Sequence, residues 1–127
     1  TDDEKATIRS SMDAAADLLA QIPFDGPVAE TLKEWQERWD GKGPLGLAKD
    51  DILISARIIA VANVFIGMIS PRSWRNAMTV EAANKFLLDN VGSYFDQRVV
   101  IALIHYVDSK NGREWINNIL KNQKKIA

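Results

Sequence analysis

The sequence has no cysteine and a single histidine, His105, in 127 residues. The missing cysteine excludes a disulfide framework and all thiolate chemistry. One histidine without cysteine cannot assemble the usual zinc sets, and it fixes no Ser-His-Asp arrangement. An excess of one charge is also missing. Lys and Arg total 16 against 17 Asp and Glu, a net charge of −1, so overall charge draws the chain to neither nucleic acid nor anionic lipid. No nucleic-acid motif is present. The start, Thr1-Asp2-Asp3-Glu4, is acidic with no apolar stretch behind it, so no secretory leader is read there. These absences make the cytoplasm the expected location, with neither nucleic acid nor a membrane as partner.

What is present is helical periodicity. A hydrophobic fraction of 46% over 127 residues supports one domain with one core, residues 1–127. Ile8, Met12, Ala15, Leu19 and Ile22 recur at three- and four-residue steps and predict an inward stripe on a first helix, capped by Asp2 or Asp3 and ended by Ile22-Pro23. Gly26-Pro27 opens a second helix with the stripe Val28, Leu32, Trp35, Trp39. Asp40 to Gly46 is a loop by composition. Asp50 or Asp51 caps a long central helix that Ser70-Pro71 closes. Thr79 caps a helix to about Asn90, Gly92 breaks it, and Asp96 caps the next to about Val107. Asn111-Gly112 is a turn before a last helix over 113–123. No stretch alternates convincingly enough for a strand. The expected class is all-α, a bundle of about six helices.

The central segment Ile52 to Ile69 is apolar enough and long enough to raise the question of a membrane span. Arg57 and Asn63 interrupt it, and Ser55, Ala56, Ala60, Ala62 and Gly67 suit packing on several sides, so it reads as the central helix of a soluble core. That reading places the Asn63 amide in the core with hydrogen-bond partners. It predicts a cost of roughly 1–4 kcal/mol for Asn63→Asp.

Few residues suggest chemistry by themselves. Gly41-Lys42-Gly43 lacks the spacing of a phosphate loop and reads as a tight turn. Glu30, Glu34 and Glu37 share helical spacing and read as solvated, with a carboxylate magnesium site open only in principle. His105 lies in an apolar run, Val99 to Val107, and is given a structural role. The basic tail Lys121, Lys124, Lys125 is a solvated charge run. Arg72 and Arg75 beside Trp74 could hold a phosphate and stack a base, or one arginine pairs with a carboxylate while Trp74 joins the core.

Several ordered motifs resemble the HD-GYP family. Trp35-Gln36-Glu37-Arg38-Trp39-Asp40-Gly41-Lys42-Gly43 resembles its His-His-Glu-Arg-Trp-Asp-Gly-x-Gly-Tyr-Pro signature. Ala56 to Gly67 resembles its Ala-Arg-Ile-Ile-Ala-Val-Ala-Asp-x-x-Asp-Ala. Arg72, Arg75 and Ala77 resemble its Asp-Arg-Pro-Tyr-Arg-Lys-Ala, and Gly92, Tyr94, Phe95 and Asp96 its Gly-x-x-Phe-Asp. The likeness covers Thr1 to Asp108, without the family's first helices and their His-Asp pair. It implies a helical bundle with a bi- or trinuclear metal centre that hydrolyses cyclic di-GMP. The ligand positions so implied are occupied here by Met12, Trp35, Gln36, Asn63 and Ile66, and Gly43-Pro44-Leu45 stands in place of Gly-Tyr-Pro. Glu37 and Asp40 are kept, though in the family they flank the ligands. The resemblance therefore implies a degenerate domain with no cofactor and no catalytic residues. Its expected role is a signalling or interaction module whose partner is another protein or an upstream sensor or receiver domain. Two alternatives stay open: a metal-dependent phosphohydrolase whose His-Asp part lies outside these residues, and a sensor that binds cyclic di-GMP through Arg72, Trp74 and Arg75 without cutting it.

Overall fold

Six α-helices and one 3-10 turn make up the computed structural model, which describes residues 1–71 and 76–126, with side chains to 122. Among these residues no strand forms, only an isolated bridge between Val91 and Phe95. The chain divides into two compact units, Thr1–Ile59 and Ala60–Ala127, with the boundary inside one helix.

In the first unit, α1 (Asp2–Leu19) packs against α2 (Val28–Glu34). The cap of α1 is Thr1, whose hydroxyl accepts from the Glu4 amide at 3.1 Å while the Glu4 carboxylate takes the Thr1 amine at 2.9 Å. Asp2 and Asp3, the expected caps, lie in the first turn instead, where negative charge suits the helix dipole. The predicted inward stripe holds at Met12, Ala15 and Leu19 and fails at its two ends. Ile8 and Ile22 are 51% and 47% exposed, and the helix stops three residues before Ile22. Arg9, Met12, Asp13, Ala15, Ala16 and Leu19 are the residues of α1 withdrawn from solvent, with Ala16 fully buried. The second helix is shorter than its predicted stripe. It ends at Glu34, with Trp35 as its cap residue and Trp39 in the turn beyond; Ala29 and Thr31 are its buried residues. Asp50 and Asp51 do not cap the central helix. They sit in the 3-10 turn Lys49–Asp51 that precedes it.

The central helix, α3 (Ile54–Ile69), crosses the boundary. Its end at Ile69 falls before Ser70-Pro71, as the proline requires. Among the described residues no helix is long and apolar enough to cross a membrane. In the second unit, Val61, Phe65 and Ile69 of α3 join Ala83 and Leu87 of α4 (Val80–Asp89), Val100 and Val107 of α5 (Gln97–Asp108), and Ile116 of α6 (Lys110–Ile126) in one buried cluster with Phe95. Both predicted caps hold here: Thr79 accepts from the Ala82 amide and Asp96 from the Arg98 amide. Gly92 has φ +85 and ends the α4 region, a backbone setting that suits glycine.

The predicted turn at Asn111-Gly112 is instead the first turn of α6. Ser109 provides its start, its hydroxyl accepting from the Gly112 amide at 3.1 Å. Glycine is needed at 112 for space: a Cβ there would collide with the Tyr106 carbonyl oxygen. The close approach of α6 to the end of α5 therefore depends on this residue, and its dipeptide context misleads as a turn signal.

Candidate functional site

The loop that follows α2 is folded by carboxylates. Glu37 is 5% exposed. Its two oxygens accept from the Leu45 amide at 2.9 and 3.0 Å, and one of them also accepts from the Leu47 amide at 3.0 Å. Gly43 lets the loop close over it; a Cβ there would lie 2.8 Å from a Glu37 oxygen and 2.9 Å from the Arg38 nitrogen. Gly41 turns the chain at φ +83. The glycines thus make a turn, as the sequence reading of Gly41-Lys42-Gly43 expected, and the anion within it is the protein's own carboxylate.

Asp40 does a similar task nearby. It takes the Arg38 guanidinium at 2.7 Å and the Lys42 amide at 3.0 Å. Partial burial pushes its carboxyl up, but the Lys42 amide, the Arg38 hydrogen bond and the two positive charges outweigh this and hold it below the ordinary value of 3.8. Glu34 accepts from the Leu53 amide at 3.0 Å, and the Thr31 and Ser55 hydroxyls meet at 2.6 Å, so α2 is tied to the start of α3. Arg57 lies over the Trp39 ring at 5.9 Å, donates to the Ile52 carbonyl at 2.9 Å and faces Asp50 at 3.5 Å. The Lys49 amide donates to the Trp39 carbonyl at 3.0 Å, with Lys49 itself at φ +52. The expectation that Glu30, Glu34 and Glu37 share one solvated face is therefore corrected. Glu30 is exposed, Glu34 is partly buried and bonded to backbone, and Glu37 is buried. The chain bends after Glu34, so helical spacing no longer relates them.

The positions matched to metal ligands fall in both units, Met12, Trp35 and Gln36 in the first and Asn63 and Ile66 in the second. Met12, Trp35 and Gln36 are partly buried. The Gln36 carbonyl oxygen accepts from the Arg9 guanidinium at 3.2 Å, which joins α1 to the segment after α2. Ile66 packs against the cluster of the second unit. Asn63 corrects the sequence reading: it is exposed. It lies two residues from both Val61 and Phe65, about 200° round the helix from the face they bury, so α3 is not apolar-packed on all sides. His105, expected in a structural role, is exposed on α5. Arg72, Trp74 and Arg75, the tentative ligand-binding residues, lie outside the described residues. Among the described residues no three His, Asp or Glu side chains are grouped as a metal would need.

The class of protein follows from comparison. The profile of the HD domain matches residues 1–99, and the chain belongs to that family. Over 69 residues it is 44% identical to a probable cyclic di-GMP phosphodiesterase of Vibrio cholerae, covering 54% of this chain and 16% of that one. It is 45% identical over 69 residues to a cyclic di-GMP phosphodiesterase response regulator of Xanthomonas campestris, covering 54% of this chain and 18% of that one. The chain thus spans less than a fifth of the length of these two relatives. The crystal structure of a cyclic GMP-AMP specific phosphodiesterase of V. cholerae superposes with a TM-score of 0.69 at 23% identity, over 83% of this chain and 24% of that one. At that identity the likeness is one of fold, and it agrees with the all-α architecture.

Proposed function

We propose that this HD domain is non-catalytic, a signalling or interaction module derived from a cyclic di-GMP phosphodiesterase. The observation that carries the reading is the chemistry at the matched ligand positions. Catalytic metals sit on imidazoles and carboxylates. Here a thioether, an indole, two carboxamides and an alkyl chain stand at Met12, Trp35, Gln36, Asn63 and Ile66. The indole and the alkyl chain cannot ligate, and Gln36 already faces a guanidinium, whose charge opposes a cation. The carboxylates that flank these positions are committed to loop amides and to Arg38. The donor set does not fit a metal centre.

Elemental analysis after removal of any tag is expected to find no stoichiometric iron, manganese or zinc. Added manganese is expected to give no hydrolysis of cyclic di-GMP. One equivalent of metal, or product formation that tracks the protein through purification and is lost in Asn63→Ala, overturns the reading. The competing reading, a phosphohydrolase completed by residues outside this chain, is decided by the same two assays on the longest native form.

For the partner, the exposed side of α1 supports another protein. Ile8 and Leu18, continued by Ile22 beyond the helix end, form an exposed apolar seam, with Leu18 65% exposed. Such a seam suits a packed helix. A second reading, binding of a cyclic dinucleotide without hydrolysis, is favoured by the names of the relatives. Calorimetric titration with cyclic di-GMP separates the two. Micromolar binding that weakens about tenfold in Arg72→Ala, about 1.4 kcal/mol, establishes the sensor. No heat at high micromolar ligand leaves the protein partner.

A further inference from the structure

The helix α5 has two faces of different fate. Val100 and Val107 are buried, and Val99, Leu103 and Ile104 pack against the cluster of the second unit. The opposite side carries Arg98, Ile101, Ala102, His105, Tyr106 and Asp108, all exposed, with Ile101 and Tyr106 each at 51%. At about 100° per residue these six cover roughly half the circumference. The face is apolar in the middle and charged at its ends, positive at Arg98 and negative at Asp108.

We propose that this face pairs two copies of the chain, with the two α5 helices antiparallel about a two-fold axis near Leu103. The charge order selects both the occupant and the direction. Arg98 and Asp108 are ten residues apart, about 15 Å along the axis. An antiparallel pair centred between them sets Arg98 of each copy against Asp108 of the other, twice by symmetry, as a self-complementary interface requires. A parallel pair sets like charges together and is opposed. Between the charges, Ile101 of one copy meets the His105 ring of the other. The guanidinium is already positioned: Arg98 leans on Asp96 at 3.3 Å while its side chain stays 69% exposed. Ordering it further on association therefore costs little.

The size of the face sets the strength. A single helix face covers roughly half of the about 800 Å² per partner that a standard interface buries, so the dimer is weak. The proposal does not rest on the loss of catalysis; a metal-binding domain could pair in the same way.

Sedimentation of the chain over about 10–500 µM, in low salt and in about 0.5 M salt, tests the pairing. A concentration-dependent dimer that weakens several-fold in the higher salt is expected. Arg98→Glu and Asp108→Lys are each expected to weaken it about tenfold or more, because each sets like charges together twice. Both changes suit the helix dipole at their end of α5, and thermal melts check that the variants stay folded. The double variant Arg98→Glu/Asp108→Lys restores opposite charges and is expected to return dimerisation to near the original level. A monomer at every concentration overturns the proposal, and leaves the face to a different protein. A dimer that ignores the single variants, or that the double variant does not rescue, overturns it as well.

Discussion

Removing the Glu37 carboxylate tests whether this residue holds the loop after α2 in shape. Glu37 is 5% exposed and serves two backbone amides, those of Leu45 and Leu47. A hydrogen bond to a charged group contributes about 1.5–3 kcal/mol, and a buried donor left without a partner costs about 1–3 kcal/mol. Leu45 is exposed, so water can replace part of what its amide loses; Leu47 is only partly exposed. For Glu37→Ala these combine to a loss of about 2–4 kcal/mol, including the lost packing beneath Gly43. Glu37→Gln keeps one oxygen that can accept both amides and is expected to lose only about 1–2 kcal/mol. Urea unfolding measures the two values. Because the chain divides into two units, a single transition is not guaranteed, and hydrogen exchange at Leu45 and Leu47 gives the local readout. Their protection should collapse in Glu37→Ala and persist in part in Glu37→Gln. A change below about 0.5 kcal/mol with unaltered exchange, the ordinary range for a neutral surface site, would falsify the scaffold role.

The Asp40 carboxyl is held below 3.8 in the folded state, so its bonds to Arg38 and Lys42 stabilise the fold above that pH and are lost as pH falls through the folded value. Urea melts between about pH 3 and 6 should therefore show Asp40→Asn less stable by a constant amount at the upper end. The difference should shrink toward the acid end; a difference independent of pH throughout contradicts the assignment. Exposed Asn63 is expected to tolerate Asp, with Asn63→Asp within about 0.5 kcal/mol of the parent, and a melt lowered by several degrees would return this residue to the core. Gly112→Ala places a methyl group against the Tyr106 carbonyl, a backbone atom with little room to give. Overpacking of this kind costs about 1–3 kcal/mol, here toward the upper end; a neutral result would mean that α5 and α6 can part without loss.

Much of the fold was legible because helix signals are local. Caps at Thr79 and Asp96 depend on a side chain, the stop at Ser70-Pro71 on a ring and the break at Gly92 on backbone freedom at positive φ, each acting within a few residues. Errors arose where a long-range partner decided the outcome. Ile8 and Arg9 offer alternative stripes on α1, and packing on α2 selected Arg9, whose guanidinium has Gln36 to meet. Asn63 was placed inside because its neighbours are apolar; periodicity alone gives a face's angle, and the exposed Ile54, Ile58 and Ile59 show how much of α3 is left uncovered. Asn111-Gly112 looked like a turn because the dipeptide carries no sign of the carbonyl that makes glycine necessary. The Glu37 role had one legible signal, a Glu followed four residues later by Gly41-Lys42-Gly43 and the loop to Gly46, but which amides turn inward is a property of the closed loop.

On the proposed non-catalytic reading, one energetic rule relates the residues at the matched ligand positions to those that flank them. A carboxylate or imidazole withdrawn from water must be paired, and a metal ligand that outlives its metal is left with an uncompensated polar group costing several kcal/mol. On that reading Met12, Trp35 and Ile66 avoid the cost by being apolar at partly buried positions, Gln36 avoids it by meeting Arg9, and exposed Asn63 does not incur it. Glu37 and Asp40 do not face that cost, because their partners are the loop's own amides and Arg38. Losing Glu37 would strand the Leu45 and Leu47 amides, so folding alone is enough to keep it. Glu37 and Asp40 therefore have a use in the fold that is independent of catalysis.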